Sequence, residues 1–371
     1  MTVTAGLAAC SSAPGQPGSD KGGRSQGSST PEVRDDFSQP GMIVTAGCSA
    51  GDGGGLVTVD GWSARNLTKT AHAEFRLADS VLTRTEGARP GTALGILCAP
   101  PNVTDRTDVL AVRSLFDRDF TRLAVVIQDP QTKATHVGYV DRSSKLTDLT
   151  GQEDFGNTPH EDNAAMAPDG SAVWFTSVVE HKDQVARRTV DGDHQAVDQQ
   201  PVETVGERHL FVVGTPGIAV LGNSAQLSPD GKRLLVEDSL LERPTDRPFI
   251  GPDAIDKAPA APCDSAKDGD AIAWIDNDTV LCGSSLSGQR FSTLDLTPNA
   301  KAGAPILPSN DHRNFVLGIS PDGQQFAFLS VKGTARDYYV ADLKPGTTPR
   351  KIEPNAEFTS MLGTLFFLDW R

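Results

Sequence analysis

An all-β fold, a single β-propeller of four-stranded blades, is what this 371-residue sequence predicts, and three observations predict it. A tight-turn motif recurs, as Ala167-Pro168-Asp169-Gly170, Ser228-Pro229-Asp230-Gly231 and Ser320-Pro321-Asp322-Gly323, each time between β-rich runs. Weaker copies fill the intervals at steps of about 40–60 residues, the period of propeller blades. The two ends of the sequence each read as part of one blade.

In the motif, proline presets φ at the second turn position, aspartate bonds the backbone that follows, and glycine accepts the positive φ that finishes the turn. Met166, Leu227 and Ile319 precede the three copies; Ala172-Val173-Trp174-Phe175, Leu234-Leu235-Val236 and Phe326-Ala327-Phe328-Leu329 follow them. The interval between Asp230 and Asp322 is divided by a strand, turn and strand around Asp276-Asn277-Asp278. Upstream, Leu115 to Ile127 repeats the shape, and Glu74 to Leu82 does so faintly. After each hairpin comes an alternating strand and then a short one, as in His136 to Asp141 before Lys145 to Thr150, and Asp337 to Leu343 before Arg350 to Ile352. Four strands per unit make a propeller blade.

Residues 42–68 supply a second, third and fourth strand (Met42 to Thr45, Leu56 to Asp60, Arg65 to Thr68) with no first, and Leu365 to Arg371 is a first strand with no turn after it. Pairing the C-terminal strand with the N-terminal strands closes the ring and leaves no free edge for aggregation. First strands then number seven; residues 91–113 and 241–270 match the repeat poorly, which keeps six blades open.

Composition narrows the function classes. A net charge of -14 with no Lys/Arg stripe excludes a nucleic-acid binder, which needs cations for phosphate. No apolar run reaches the about 18 residues of a membrane-spanning helix. The 36 glycines, 25 prolines and 6% aromatics suit a loop-rich β protein.

Five cysteines make an odd count, which in an exported protein points to one special cysteine plus pairs. Leu7-Ala8-Ala9-Cys10 resembles the lipobox of bacterial lipoproteins, and that resemblance implies a diacylated Cys10 as the mature N-terminus. Residues 11–31 are Ser, Gly and Pro with almost nothing apolar, so they cannot offset their ordering entropy. The expected organisation is a residual signal peptide over 1–9, the lipobox cysteine and flexible tether over 10–40, and the propeller over 41–371, with the true start codon upstream because residues 1–9 lack a basic n-region. Cys48, Cys98, Cys263 and Cys282 allow three pairings. Blade order favours the two local bridges, Cys48 with Cys98 and Cys263 with Cys282; the Cys-x-x-Cys spacing of structural zinc is absent, and in a cytosolic protein all four would be free thiols.

The pattern apolar-Ser-Pro-Asp-Gly, a β run, then Tyr-Val-x-Asp resembles the repeats of the TolB-like β-propellers, loosely over residues 42–371. The resemblance implies the fold. The name-giving member carries an α/β domain ahead of its propeller and serves an envelope complex; here the tether leads directly into strands, so that member's partner contacts do not carry over, and a propeller by itself does not specify a function.

Gly47-Cys48-Ser49-Ala50-Gly51 matches the nucleophile elbow G-x-S-x-G, but the elbow needs a helix after it, and Asp52-Gly53-Gly54-Gly55 reads as a hairpin loop. A phosphate cradle fails for want of Gly-Lys-Ser/Thr. The remaining candidates are the loops entering the first strands, expected to converge on one face: His72, His160-Glu161-Asp162, Asp270, Asp311-His312-Arg313 and Glu357. Such a ring could hold a cation or a basic peptide, although loops are polar simply because they are wet. The expected function is therefore a non-enzymatic, extracytoplasmic, lipid-anchored binding or scaffold module for a protein, peptide or glycan, monomeric, with no catalytic residue, metal or cofactor. The alternative is a lyase or glycoside hydrolase with its site in the axial pocket.

Overall fold

The structure, a computed structural model, describes residues 33–51, 54–83, 93–99, 106–150, 160–206, 208–237, 239–259, 263, 269–283, 291–297, 301–353, 355–360 and 366–371. The expected signal-peptide remnant, Cys10 and the tether through residue 32 lie outside these residues. The body takes up chain ahead of residue 41, where the propeller was expected to start: Arg34 bridges to Ala71 and the Phe37 ring is buried against Phe120.

The described residues form seven sheets in a propeller, antiparallel apart from one short parallel pair, each in contact with the next. The first holds β1 (Met42–Gly51), β2 (Gly54–Ser63) and β3 (Lys69–Arg76). The expected fourth strand at Arg65 to Thr68 is instead the turn between β2 and β3; Leu67 takes a φ of 52° and Ser63 N–H donates to Thr68 O at 2.9 Å. Burial on alternate residues Ala71, Ala73 and Phe75 sets the next strand one segment later.

Two helices follow, α1 (Ala93–Cys98) and α2 (Arg106–Arg113), then the second sheet: β4 (Arg122–Gln128), β5 (Thr135–Asp141) and β6 (Leu146–Asp148). Its inner strand is split. Val81 bridges Ile127 at one end of β4, and Phe116 bridges Leu123 at the other. Ala124 N–H donates to Leu115 O at 2.7 Å and Leu82 N–H to Val126 O at 2.9 Å. The two hairpins expected at 74–82 and 115–127 therefore belong to one blade: Val81-Leu82 and Leu115-Phe116 are the two halves of its inner strand, both paired to β4. The poorly matching residues between them are a helical insertion, stapled to β1 by the Cys48–Cys98 disulfide.

The third sheet is β7 (Glu161–Met166), β8 (Ala172–Val179), β9 (Lys182–Thr189) and β10 (Ala196–Val202). The fourth was missed in the sequence: β11 (His209–Val213) and β12 (Ile218–Gly222) turn through Gly214–Gly217 without a Pro-Asp-Gly signal. The fifth is β13 (Ala225–Leu227), β14 (Arg233–Val236) and β15 (Ser239–Glu242). β16 (Phe249–Ile250) then returns to pair parallel with β12, followed by α3 (Pro252–Asp256). Pro244, Pro248, Pro252 and Pro259 supply no N–H here, which is why residues 241–270 do not read as a blade. The count of seven agrees with the sequence because one blade counted twice and one missed cancel.

The sixth sheet is β17 (Asp270–Trp274), β18 (Thr279–Gly283) and β19 (Ser292–Asp295); the seventh is β20 (Arg313–Ile319), β21 (Gln325–Lys332), β22 (Ala335–Asp342) and β23 (Arg350–Ile352). After α4 (Ala356–Ser360), β24 (Phe366–Trp370) pairs antiparallel with β1, joining Thr45 to Phe367 and Ile43 to Trp370 across a register shift between Val44 and Thr45. This is the pairing of chain ends that the sequence predicts. Both favoured disulfides are present, the second joining Cys263 to Cys282 on β18.

The repeated turns are built as their residues require. Gly170, Gly231 and Gly323 take φ of 71°, 73° and 66°. Asp230 and Asp322 accept a bond from the backbone N–H two residues on, each at 3.1 Å, and from the hydroxyls of Ser228 at 2.8 Å and Ser320 at 2.6 Å. Neighbouring turns also hold one another. Arg118 N–H donates to Pro168 O at 2.7 Å, Arg243 bridges Pro216 O and Gly231 O, and Asp230 N–H donates to Asn277 Oδ1 at 2.8 Å. A Cβ on Gly323 would fall 2.5 Å from Ile275 O, so only glycine allows that approach.

The core lies between sheets. At the seam of the seventh and first sheets, Phe358 of α4 meets Trp62, Tyr338 and Phe367 at ring-centroid distances of 5.0, 5.3 and 6.2 Å. Phe358→Ala is expected to lower stability by about 3–5 kcal/mol, measured by urea unfolding. The turn aspartates give an acid limb: hydroxyl bonds from Ser228 and Ser320, then backbone N–H bonds, hold Asp230 and Asp322 below the usual carboxylate range. Their contribution is present above the unfolded value near about 4 and is lost as pH falls through the lowered folded values. Asp322→Asn is expected to flatten the fall of the urea midpoint below that pH.

Candidate functional site

Propeller chemistry is placed by the innermost strands. Here β7, β11, β13, β17 and β20 touch in succession, and each leads toward a turn at one end of the sheets. Their first residues, Glu161, His209, Ala225, Asp270 and Arg313, therefore share the opposite end. Asn163, at a φ of 55°, ties this rim together: its side chain donates to Arg208 O at 3.3 Å and accepts from Leu210 N–H at 3.4 Å.

The axis is occupied by the insertion. Helix α2 touches β24 of the first sheet and β11 of the fourth, two inner strands on different sides of the propeller. Val109, Ala111 and Val112 are buried in the cluster that joins those sheets. Asp108 in the first turn and Arg113 in the last suit the helix dipole. Arg113 is fixed further: it donates to Phe116 O at 3.1 Å and Asp117 O at 3.2 Å, and its Nε lies 3.5 Å from Asp369.

The nine residues expected on one ring fall in four places. His72 lies on the outer strand β3 and not on a loop, because the alternation of Ala71 and Ala73 places it there. It meets Glu357, also expected on the ring, through a shared network. Buried Asp60 faces His72 Nδ1 at 2.6 Å and Lys69 at 3.2 Å, and Lys69 reaches Glu357 at 2.7 Å. Burial pulls the Lys69 ammonium down, and Glu357 with Asp60 overturns that and holds it above its ordinary value.

His160 is exposed on the rim, its Nδ1 3.3 Å from Thr135 Oγ1. Glu161, expected on the exposed ring, is 2% exposed and turned into the seam between the second and third sheets. It accepts bonds from Arg188 at 2.7 and 2.9 Å and from Val137 N–H at 3.0 Å. Burial pushes its carboxyl up, against the opposing pull of Arg188. Asp162, half-buried, accepts from Thr176 Oγ1 at its backbone carbonyl. In the seventh sheet, Asp311 pairs with Lys332 at 2.6 Å, His312 Nδ1 lies 2.8 Å from Ser330 Oγ, and Arg313 covers the Phe315 ring. Asp270 begins β17 by itself opposite Gly283.

Among the described residues, no group of three or more His, Cys, Asp or Glu has metal-holding geometry. Ser49 sits within β1, which turns back into β2 through Gly51 and Gly54, so the elbow-like motif is a hairpin. The network residues that the sequence did not single out are Asp60, Lys69, Arg188 and Asn163. Arg188 had a faint signal, since in Arg187-Arg188 on a strand one must face inward; which one does depends on the neighbouring sheet.

No protein-family model and no curated protein matches the chain. Solved structures similar to it include the β-propeller domain of the Trilobed protease from Pyrococcus furiosus (8% identity, 86% of this chain and 83% of that one, TM-score 0.37). Others are a putative 6-phosphogluconolactonase from Bacteroides uniformis (13%, 86% and 82%, TM-score 0.37) and a eukaryotic initiation factor (10%, 93% and 94%, TM-score 0.45). All three TM-scores lie below 0.5, and the propeller assignment rests on the sheet topology itself.

Arg188→Ala leaves the Glu161 carboxylate buried without its cation, and is expected to cost about 3–5 kcal/mol of stability in urea unfolding. Glu161→Gln, which keeps a hydrogen-bond acceptor, is expected to cost less.

Proposed function

We propose that this propeller is a non-enzymatic binding module of the cell envelope, of the TolB-like repeat type, held outside the cytoplasmic membrane by an acylated Cys10 and its tether. It binds a protein, peptide or glycan on the rim formed by the first residues of the inner strands. The observation that carries this reading is helix α2, whose apolar side chains fill the axis between β24 and β11, where an axial catalytic pocket would otherwise lie. The rim carboxylates support it too, since Glu161 is committed to Arg188 and Asp311 to Lys332. The two disulfides favour an oxidising compartment. Two acyl chains give firm anchoring where one would not.

The test uses the protein expressed from its own locus, with any codons upstream of Met1 kept, in a bacterial envelope. Mass spectrometry of the membrane-extracted protein is expected to find a diacylglyceryl group on Cys10, and Cys10→Ser to move the protein out of the membrane fraction; a free Cys10 thiol overturns the anchor. Affinity capture from the envelope is expected to recover a partner with the natural chain and to lose it with the double variant His160→Ala/His312→Ala at unchanged melting temperature. Capture that is the same with the double variant overturns the rim.

A further inference from the structure

The other end of the strands carries a second feature, which does not depend on the rim. Between the first and seventh sheets, beside the turn Ser320-Pro321-Asp322, lies a cleft of about 570 Å³, within the size range of small-ligand sites. Trp370, Arg65, Arg350, Asp322 and Gln325 are among its lining residues.

Trp370 is unlike the other three tryptophans. Trp62, Trp174 and Trp274 are buried at 0, 1 and 8% exposure, and each has a cation over its ring: Lys69, Arg187 and Arg233. Trp62 and Trp274 also spend their indole N–H on Thr45 Oγ1 and Gln226 O. Trp370 is only half-buried, and among the described residues it has neither a cation over its ring nor an acceptor for its N–H. Arg65 and Arg350 line the same cleft, and neither guanidinium bonds any described side chain or carbonyl.

The cleft is thus lined by two uncommitted guanidinium groups and the half-buried indole of Trp370, which also packs on the aromatic seam, against one carboxylate. That carboxylate, Asp322, already accepts from the Ser320 hydroxyl and from Gln324 N–H. The chemistry missing from the cleft is an anion with lone pairs for the two forks and a flat apolar face for the indole. Guanidinium binds carboxylate through parallel N–H bonds, and an aromatic face covers either another ring or the C–H face of a sugar. We infer that this cleft binds a small ring-borne carboxylate, with its acid group held by Arg65 and Arg350 and its ring laid on Trp370. An acidic peptide side chain lacks the ring and leaves the indole uncovered.

All four tryptophans emit, but of the four only Trp370 lines the cleft, so a fluorescence change on adding a ligand reports on Trp370. Glucuronate and benzoate distinguish the two sources of the ring, a carboxylated sugar or an aromatic acid; glucose and benzyl alcohol are their uncharged counterparts, and a polyglutamate peptide tests the acidic-peptide alternative. One of the two acids is expected to give a saturable fluorescence change, with a calorimetric Kd matching it, and the uncharged counterparts none. Arg65→Ala/Arg350→Ala is expected to raise that Kd by about tenfold or more with the melting temperature unchanged, since both side chains lie outside the core. Trp370→Phe is expected to remove the fluorescence change while calorimetry still detects binding. No saturation by either acid up to about 10 mM, where even weak specific sites fill, overturns the proposal. So does binding that the double arginine variant leaves unchanged, or binding of polyglutamate in preference to both acids.

Discussion

The interaction on which the structure most depends is the pairing of β24 with β1. Most other sheets take their strands from one continuous stretch of chain, although the fourth also takes β16 from beyond the fifth. The first sheet is different, because its inner strand comes from the far end of the sequence. That one pairing brings Phe367 to Tyr338 and Phe358, and so assembles the aromatic seam that holds Trp62. It also places Arg371 where it donates to Phe37 O at 2.7 Å and reaches Arg118 O in the turn of the second sheet. An ordinary antiparallel ladder thereby couples chain segments that a linear array of blades would leave as free edges.

The two ends of the sheets are built for different work. At the turn end, Pro-Asp-Gly units hold one another through backbone bonds, arginine bridges and the close approach of Gly323 to Ile275, which makes a rigid collar. At the other end, Glu161 is committed to Arg188 and Asn163 to the backbone of Arg208. The helical insertion separates these ends. It enters through the split strand of the second sheet, is stapled to β1 by Cys48–Cys98, and sends α2 across the axis. A rim over a filled axis differs physically from the mouth of a pocket, because it is a surface and not an enclosure.

The candidate site was legible in part, and the pattern of success is physical. His72 and Glu357 do share one network, but Asp60 and Lys69, which join them, look in sequence like ordinary strand residues. Glu161 was expected to be wet because charged residues usually are; its burial depends on Arg188 arriving from β9 and Val137 from a different sheet. Trp370 stood in the sequence as part of a strand. Only its contrast with Trp62, Trp174 and Trp274, each covered by a cation, marks it as open.

By itself, the sequence determined the repeat unit and the turns, because Pro-Asp-Gly fixes φ locally and alternation fixes which face of a strand is apolar. It also determined that the chain ends pair, since each lacks what the other supplies; among the cysteines it left three pairings, of which the structure shows the two local bridges. Tertiary structure alone decided that Val81-Leu82 and Leu115-Phe116 are halves of one interrupted strand and that β11 and β12 form a sheet without the signal turn. It alone decided that α2 fills the axis, and which charges are buried. Those outcomes rest on contacts between segments far apart in the chain, where burial and charge pairing are set by the neighbouring sheet and leave no local period to read.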